Sequence, residues 1–308
     1  MRILLTGSNG LLGQKLIGRL SQQPGVELIA TARGENRAAV REGYRYHSLD
    51  ITDRTAVLEA FERFRPDSVI HTAAMTHVDQ CEQQPEACTE LNVQAVAHLV
   101  EACALHDSHL VHLSTDFIFD GSHGPLDESA QPAPISVYGH SKLKAEHLVQ
   151  EGLNRYAIVR TMLVYGLADE MSRSNIVLWA LDSLSAGKSI KVVHDQFRSP
   201  TWAEDLAEGC ILAALSHAQG IYHISGAETL SILDFVRRVA RFWALDASLI
   251  EPIDSASLGQ PARRPPRTGF LIDKAQAELG FQPHSLEEAF ARIRVQLEQR
   301  AGQTSIPQ

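Results

Sequence analysis

The sequence lacks three features that would place it in other protein classes: a membrane-length apolar run, an excess of positive charge and closely paired cysteines. No apolar stretch approaches the roughly 18 residues of a membrane span, and the amino terminus enters a predicted strand at once, without the features of a signal peptide. The formal net charge of −9 disfavours sequence-independent binding to nucleic acid or to an anionic membrane. We therefore expect a cytoplasmic protein that acts on a small molecule, which can be anionic where a few arginines converge.

Metal binding and disulfides are not expected either. The cysteines show no C-x-x-C spacing, so they are interpreted as small apolar residues in a reducing compartment: Cys81, Cys88, Cys103 and Cys210. His106 and His109 fall where a helix should end, and His112 lies in an alternating run that predicts a strand. A shared coordination sphere is difficult from these positions, so we interpret the three as solvated loop and strand-flank histidines.

Strands alternate with helices through the first half of the chain, which predicts a doubly wound parallel sheet of Rossmann type. With 308 residues, 44% of them hydrophobic, the chain can bury about three quarters of its unfolded surface. Short apolar strands are predicted at 2–6, 26–31, 45–48, 68–71, 109–114 and 156–160, and helices near 11–22, 53–64, 85–105 and 136–151. We therefore predict a dinucleotide-binding domain over 1–165.

Beyond residue 165 the alternation becomes irregular, which predicts a smaller α/β substrate domain over 166–308, with segments around 200–226 returning to the first domain. Helical patterns occur near 174–186, 203–217, 231–243 and 285–300, with short strands at 189–193 and 221–224. The stretch Pro261–Arg267 must be a loop, because its prolines remove donors and block a helix.

A glycine-rich turn follows the first strand and opens the first helix. Gly7 would allow the sharp turn, Gly10 would let the backbone approach a pyrophosphate, and Gly13 would let the helix pack closely on the strand. The G-x-x-G-x-x-G spacing is one residue longer than the dehydrogenase fingerprint, and many glycine-rich turns are only turns. Its position between strand and helix favours a dinucleotide site.

Arg33 stands twenty residues after Gly13, where an NAD site would place an acidic residue on the ribose 2′-hydroxyl. A guanidinium suits a 2′-phosphate, because its planar donors pair with two phosphate oxygens at once. Arg37 follows closely. The pattern favours NADPH, with NADH as the alternative, and a solvated surface arginine is the other interpretation of Arg33.

Tyr138 and Lys142 lie four residues apart on a predicted helix, so they project from one face. A phenol with a pKa of about 10 transfers protons slowly at neutral pH unless a nearby ammonium stabilises the phenolate. An amphipathic helix with a solvated lysine would show the same spacing. The preceding strand favours chemistry, since it ends in Ser114 and Thr115 at the carboxyl end of the sheet. Thr115, or alternatively Ser114, could hydrogen-bond a substrate carbonyl, although Thr115 could also simply cap the strand end.

These motifs resemble the extended short-chain dehydrogenase/reductases, and specifically the dTDP-4-dehydrorhamnose reductase family. The resemblance covers nearly the whole chain, and its most specific part is the S-T-D-x-x-F-D-G run before the Y-G-x-S-K helix. The matching segments are Thr6–Gly13, Ala73–Asp79, Leu91–Val93, Ser114–Gly121, Val137–Leu143, Arg160–Thr161, Asp195–Phe197 and Gly220–His223.

The resemblance implies a Rossmann core and NADPH-dependent reduction of the 4-keto group of a nucleotide-linked 6-deoxyhexose, most simply dTDP-4-dehydrorhamnose to dTDP-rhamnose. The implied catalytic residues are Thr115, Tyr138 and Lys142. The implied cofactor residues are Gly7, Asn9, Gly10, Leu11, Leu12, Gly13, Arg33, Asp50, Ile51, Ala73, Ala74, Thr76, Asn92, Tyr138 and Lys142, of which Asn92 would also brace the active-site helix. The implied substrate residues are Thr76, His77, Val78, Thr115, Leu163, Gln196, Phe197 and Arg198.

Three arginines of the proline-rich loop, Arg263, Arg264 and Arg267, are further candidates for countering a substrate diphosphate, on the grounds of charge alone. One departure from the family concerns Leu163, because bacterial rhamnose-pathway members carry a tryptophan there. Loss of that aromatic wall would alter the sugar pocket.

A regulatory protein is the alternative from another class. The non-catalytic subunit of methionine adenosyltransferase resembles the same family and acts by binding an enzyme. The full proton-transfer set favours the enzyme. A nucleotide sugar is the expected partner, and a homodimer is compatible with the sequence.

Overall fold

The computed structural model describes residues 1–169 and 174–304, so residues 170–173 and 305–308 of the predicted second domain lie outside the described residues. The strands are β1 (Arg2–Thr6), β2 (Glu27–Ala32), β3 (Tyr44–Ser48), β4 (Ser68–His71), β5 (His109–Thr115), β6 (Tyr156–Thr161), β7 (Val164–Tyr165), β8 (Ile190–Val193), β9 (Phe197–Arg198), β10 (Thr201–Trp202), β11 (Gly220–His223), β12 (Leu230–Ser231) and β13 (Ile250–Ile253).

The predicted helices begin and end close to the predicted positions, and two short helices, α3 and α10, were not predicted. The helices are α1 (Leu11–Leu20), α2 (Arg54–Phe64), α3 (Val78–Gln83), α4 (Pro85–Thr89), α5 (Ala95–His106), α6 (Val137–Gly152), α7 (Ile176–Ser185), α8 (Ala203–Leu215), α9 (Ile232–Phe242), α10 (Asp273–Leu279) and α11 (Leu286–Thr304). Short 3₁₀ turns occur at Asp116–Ile118, Ala247–Leu249 and Ser255–Leu258. None of the described helices is long and apolar enough to cross a membrane.

Seven of the described strands form one parallel sheet in the order β11-β6-β5-β4-β1-β2-β3. The central strands read as continuous apolar runs because helices cover both faces. One face packs on α1 and α8 through a cluster that includes Leu16 and Leu206, and the other packs on α2, α5 and α6 through a cluster that includes Phe61 and Leu99. The predicted doubly wound α/β fold is confirmed.

A separate apolar cluster holds the second half of the chain together. It joins α7, α9 and α11 around Tyr165, Phe235 and Phe290, whose rings contact one another in pairs at centroid distances of 5.4 to 6.1 Å. Two segments of this half return to the sheet: α8 packs on one face and β11 extends the edge beside β6. The division of the chain into two domains stays a prediction.

The helix predicted over 85–105 is confirmed: it consists of α4, a π-helical segment at Glu90–Gln94 and α5, and a further short helix, α3, precedes it without having been predicted. One sequence-based expectation about local structure was wrong. His109 and His112 are not solvated: both side chains are fully buried in β5, because this strand lies in the middle of the sheet with both faces covered. His106 does lie at a helix end, as expected.

Candidate active site

The chain adds strands to one side of β1 as far as β3 and then to the other side from β4 onward, so the strand order reverses between β1 and β4. Ligands of doubly wound folds bind at the carboxyl ends of the strands flanking such a point. The glycine-rich turn after β1 lies there. Gly7 has φ of +74°, and a Cβ on it would lie 2.6 Å from the backbone nitrogen of Ala73, just after β4. A Cβ on Gly13 would lie 2.3 Å from the carbonyl oxygen of Gly7. Both positions therefore require glycine so that turn, helix and neighbouring strand can touch.

Gly10, by contrast, is open on the outside. It is exposed, and a Cβ there would meet only the Gly7 carbonyl oxygen, at 3.3 Å. The first amides of any α-helix, here those of Leu11 and Leu12, have no intrahelical acceptor. Gly10, the N-cap of α1, has no side chain that could accept from them. Asn9 ties this turn to the next loop, since its amide binds the Glu35 carbonyl oxygen at 2.8 Å. The result is an open backbone surface at a helix N-terminus, which suits an anionic pyrophosphate.

Arg33 follows β2 at the same edge and its side chain is 76% exposed. Its Nη1 lies 3.8 Å from Oδ2 of Asp50, a residue that follows β3. Partial burial opposes ionisation of Asp50, but hydrogen bonds from the Thr52 backbone nitrogen and hydroxyl, together with the charge of Arg33, hold the pKa of this carboxyl below its usual value. Arg33 therefore projects into solvent beside an ionised Asp50, while Ile51 is buried against the core.

Asn92 connects the segment after β4 to the helix that carries Tyr138. Its Oδ1 accepts from the Met75 backbone nitrogen at 2.8 Å, and its Nδ2 donates to the Met75 carbonyl oxygen at 3.0 Å and to the Ser141 hydroxyl at 3.1 Å. The residue is 1% exposed and lies in the π-helical segment. This bracing holds the segment after β4, with Ala73 and Ala74, close to α6.

Tyr138 lies in the first turn of α6 and is 7% exposed. Its ring packs edge-on against Phe117, with centroids 5.5 Å apart. Gly139 makes this approach close, since a Cβ there would lie 2.2 Å from the Phe117 carbonyl oxygen. The phenol therefore stands beside the turn that begins at Thr115, and the buried thiols of Cys81 and Cys88 pack behind it.

Lys142 is only 3% exposed, which is unusual for an ammonium. Burial lowers its pKa to about 8, although the nearby Glu146 and Cys88 act in the opposite direction. Its Nζ lies 3.4 Å from Nε2 of His112. Glu146, one turn further along α6, is bound instead by Arg160 through two hydrogen bonds of 3.0 and 2.7 Å.

Thr115 ends β5 and begins a 3₁₀ turn, where its hydroxyl oxygen accepts from the Phe117 backbone nitrogen at 3.2 Å. Thr115 thus does cap the turn, as one interpretation of the sequence expected, and it lies beside the tyrosine helix as the other requires. Ser114, the alternative, points away and donates to Glu146. The next residue, Asp116, is buried and pairs with Arg198 Nε at 3.0 Å.

Arg198 is also held by two carbonyl oxygens, of Phe197 and Pro265, each 2.7 Å from a guanidinium nitrogen. Burial raises the pKa of Asp116, and the charge of Arg198 opposes this. The predicted contact of Arg198 with a nucleotide stays a prediction, and the structure places this guanidinium in a buried ion pair.

The proline-rich loop, Pro261–Arg267, runs beside the site and is tied to α3. Arg264 binds both carboxylate oxygens of Asp79, at 3.1 and 2.7 Å. Arg263 is exposed, and Arg267 lies over the Phe197 ring at 4.7 Å. Of the three arginines proposed for a diphosphate, one is therefore paired internally and two reach the surface.

The remaining predicted substrate residues lie on three segments: the start of α3, the segment between β6 and β7, and the start of β9. Thr76 and His77 are exposed and Val78 half-buried at the start of α3, where the His77 ring caps the helix by accepting from the Gln80 backbone nitrogen at 3.2 Å. Leu163 follows β6, has φ of +41° and packs on the second apolar cluster. Gln196 is buried and Phe197 half-buried.

Sequence reasoning missed four contributors to this site: His71, Asp79, His112 and Glu146. A signal existed for the histidines, because a polar side chain within an apolar strand is costly unless it is used. Among the described residues no group of three or more His, Cys, Asp and Glu side chains could hold a metal ion.

Comparisons with known proteins place the chain in a family. It is 32% identical to a probable low-salt glycan biosynthesis reductase of Haloferax volcanii, over 95% of this chain and 97% of the relative. It is 31% identical to methionine adenosyltransferase 2 subunit beta of Xenopus tropicalis, over 85% and 78%. The crystal structure of a dTDP-4-dehydrorhamnose reductase from Bacillus anthracis in complex with NADP matches with a TM-score of 0.83 and 29% identity, over 96% of this chain and 99% of that one.

The family model described as the RmlD substrate binding domain matches residues 1–298. The chain therefore belongs to this family, and the resemblance inferred from its motifs is confirmed.

Proposed function

We propose that this protein is a nicotinamide-dependent reductase that converts the 4-keto group of a dTDP-linked 6-deoxyhexose to an alcohol. The observation that carries the proposal is the pair Tyr138 and Lys142 on α6. Both are buried, and the Tyr138 ring contacts Phe117 in the turn that begins at Thr115. A family neighbour whose crystal structure contains NADP is a dTDP-4-dehydrorhamnose reductase, which agrees with this assignment.

The residues present suit the cofactor. Gly7, Gly10 and Gly13 would receive the pyrophosphate on open backbone at the start of α1, and Ile51, Ala73 and Ala74 would flank the adenine and ribose. Arg33, exposed on its loop, would pair with a 2′-phosphate and so favour NADPH over NADH. When bound, the nicotinamide supplies the hydride.

The chain's own residues would handle the proton. Tyr138 donates it to the carbonyl oxygen as that oxygen gains charge, Thr115 hydrogen-bonds the same oxygen, and Lys142 keeps a positive charge near the phenol. Because the pKa of Lys142 lies near 8, the ammonium predominates at neutral pH. Thr76, His77, Gln196 and Phe197 would contact the sugar and the nucleotide.

The direct test is oxidation of NADPH by the purified chain with dTDP-4-dehydrorhamnose, its precursor before C3/C5 epimerisation, and the sugar without its nucleotide. We expect turnover with at least one nucleotide sugar and little with the free sugar, because remote contacts orient the reacting carbon. Equal rates with the free sugar would contradict a nucleotide-binding role for the second half of the chain.

Tyr138→Phe is the matched variant for this assay. Phenylalanine keeps the packing on Phe117 but has no proton to give, so turnover should fall by about 10² to 10⁴ while NADPH affinity changes little. Near-normal turnover in a folded Phe variant would rule out Tyr138 as the proton donor.

The alternative is a regulatory subunit, favoured by the 31% identity to methionine adenosyltransferase 2 subunit beta. Such a protein can retain cofactor binding without using it. Binding of NADPH with no turnover of any nucleotide sugar would favour this alternative over the reductase.

A further inference from the structure

Two histidines lie side by side in the centre of the sheet, and one of them contacts Lys142 of α6. His71 of β4 and His112 of β5 are paired in the register of the two strands, and their rings stack with centroids 5.3 Å apart and planes 27° apart. Their exposed fractions are 1% and 0%. Burial lowers the pKa of His71 to about 3 and that of His112 well below its usual value, so both rings are neutral at physiological pH.

Such a pair destabilises the interior of a sheet. His71 Nε2 and His112 Nδ1 are buried with no hydrogen-bond partner among the described residues. Each buried polar atom without a hydrogen bond destabilises the folded state. A valine or leucine would fill these central strand positions without that cost, so folding alone does not account for imidazoles here.

The other nitrogen of each ring has a partner, and for His112 the partner determines which ring nitrogen carries the proton. His71 Nδ1 contacts the Thr6 hydroxyl at 2.7 Å, and His112 Nε2 contacts Lys142 Nζ at 3.4 Å. An ammonium can only donate, so His112 Nε2 must be the acceptor and the ring proton must lie on Nδ1. His112 is therefore a fixed neutral acceptor for the Lys142 ammonium.

Few other groups can take this role. The titratable side chains that act on Lys142 from the surrounding elements are His71, His112, Cys88 of α4 and Glu146 of its own helix. Glu146 is engaged by Arg160 and Ser114. Among the described residues, the side-chain hydrogen bond of the Lys142 ammonium goes to His112.

We propose that His112 is a positioning residue for proton transfer: its Nε2 accepts a hydrogen bond from Lys142, which fixes the ammonium beside Tyr138 and favours its charged form, while the stacked His71 holds the His112 ring. The proposal rests on the reductase function. It predicts that removing the acceptor lowers the pKa of Lys142, since the charged form loses a partner and the neutral form loses little.

The test compares two amides that differ by one methylene. Glutamine at position 112 can place its carbonyl oxygen close to where Nε2 lies, whereas asparagine is too short to reach Nζ. His112→Asn should lower the pKa of Lys142 by about one unit, a tenfold change in the ionisation equilibrium, and His112→Gln should leave it nearly unchanged. If the Asn variant does not fold, His112→Leu removes the acceptor in the same way.

Lys142 can be followed directly by ¹³C NMR of lysines labelled at the ε-carbon, without cofactor or substrate. Lys142→Met assigns the Lys142 signal among those of the six lysines. The lysines of the chain are Lys15, Lys142, Lys144, Lys188, Lys191 and Lys274. The second readout is the pH dependence of kcat/KM for NADPH oxidation. In His112→Asn the alkaline limb of this pH profile should move to lower pH by the same amount, because the Lys142 ammonium would deprotonate at a lower pH.

His109→Asn is the matched control, since it alters an equally buried histidine of the same strand that binds the Ala218 carbonyl oxygen instead of a lysine. It should reduce thermal stability and leave both readouts unchanged. Folded His112→Asn with the wild-type pKa of Lys142 and the wild-type alkaline limb would overturn the proposal, as would equal shifts in the Asn and Gln variants. If the wild type turns over no nucleotide sugar, the reductase function fails, while the NMR titration still decides on the contact.

Discussion

Individual residues at this site differ in how strongly burial controls their charge. Lys142 loses hydration and its pKa falls to about 8, whereas Asp116 is buried with Arg198 and its pKa rises. Asp50, only partly buried, is instead held ionised by Thr52 and Arg33. Burial thus brings the pKa of Lys142, the ammonium beside the proposed proton donor, closer to neutrality than that of an ordinary lysine, which is the pattern expected of a catalytic site.

Arg33 is the residue on which cofactor choice should depend. Arg33→Asp would repel a 2′-phosphate and could accept from a free 2′-hydroxyl, so kcat/KM with NADPH should fall by at least tenfold relative to that with NADH. The measurement is the ratio of the two values in wild type and variant. Arg237→Asp, at an exposed arginine of α9, is the charge-matched control. An unchanged ratio would make Arg33 a solvated surface residue.

The helices and strands show why sequence patterns predict some elements and not others. β1, β4 and β5 were predicted closely because parallel strands covered on both faces are continuous apolar runs. The helix α3 has six residues, too few for a 3.6-residue period to appear, and β9 and β12 have two each and depend on tertiary pairing. Short elements created by tertiary contacts leave little trace in the local sequence.

The same distinction applies to the site residues. Tyr138 and Lys142 could be found because their spacing follows from one helix, and Gly7 and Gly13 because a turn between strand and helix restricts both. His112 could not be assigned a partner, since Lys142 lies 30 residues away and meets it only after β5 and α6 pack. Local geometry is encoded locally, whereas contacts across elements require the fold.

The helix α1 allows a sharp test of the glycine-rich turn. Gly13→Ala would place a methyl group 2.3 Å from the Gly7 carbonyl oxygen, a backbone atom, so the helix must move away from the turn. We expect NADPH affinity to fall at least tenfold and thermal stability to decrease, measured by fluorescence titration and by melting. Gly18→Ala, in the same helix with nothing within 4 Å, should instead stabilise the protein by about 1 kcal/mol and leave affinity unchanged. Equal effects of the two substitutions would contradict a special role for Gly13.

Across the whole molecule, the proposed substrate site depends on segments far apart in the chain. Asp116, at the end of β5, is bound by Arg198 and by the Thr268 hydroxyl at 2.6 Å, while Asp79 of α3 is bound by Arg264. The proline-rich loop is therefore tied to α3 through Arg264, and through Arg198, which binds the Pro265 carbonyl oxygen, to the end of β5. This arrangement allows contacts with the distal part of a nucleotide sugar to affect the position of the reacting carbon near Tyr138.

Leu163 is the residue on which we expect substrate choice to depend. It follows β6, and its backbone carbonyl oxygen accepts from Thr201, so its position is fixed by both the sheet and the second half of the chain. The family resemblance implies a tryptophan at this position in rhamnose-pathway members, so we predict that the leucine leaves space in the sugar pocket. We expect activity on several dTDP-4-keto-6-deoxyhexoses. Leu163→Trp should accept fewer of these sugars, because an indole would fill the space that differently oriented sugars use.

The measurement is the ratio of kcat/KM for dTDP-4-dehydrorhamnose and for its unepimerised precursor, in wild type, Leu163→Trp and Leu163→Met. Methionine conserves the side-chain volume and should leave the ratio nearly unchanged. One sugar ring contact of this kind changes discrimination by about 10- to 200-fold at most, so the tryptophan variant should move the ratio within that range. NADPH affinity should stay constant in both variants, since position 163 lies after β6 and away from the glycine-rich turn. A tryptophan variant that binds NADPH normally and keeps the wild-type ratio would show that Leu163 does not line the sugar pocket.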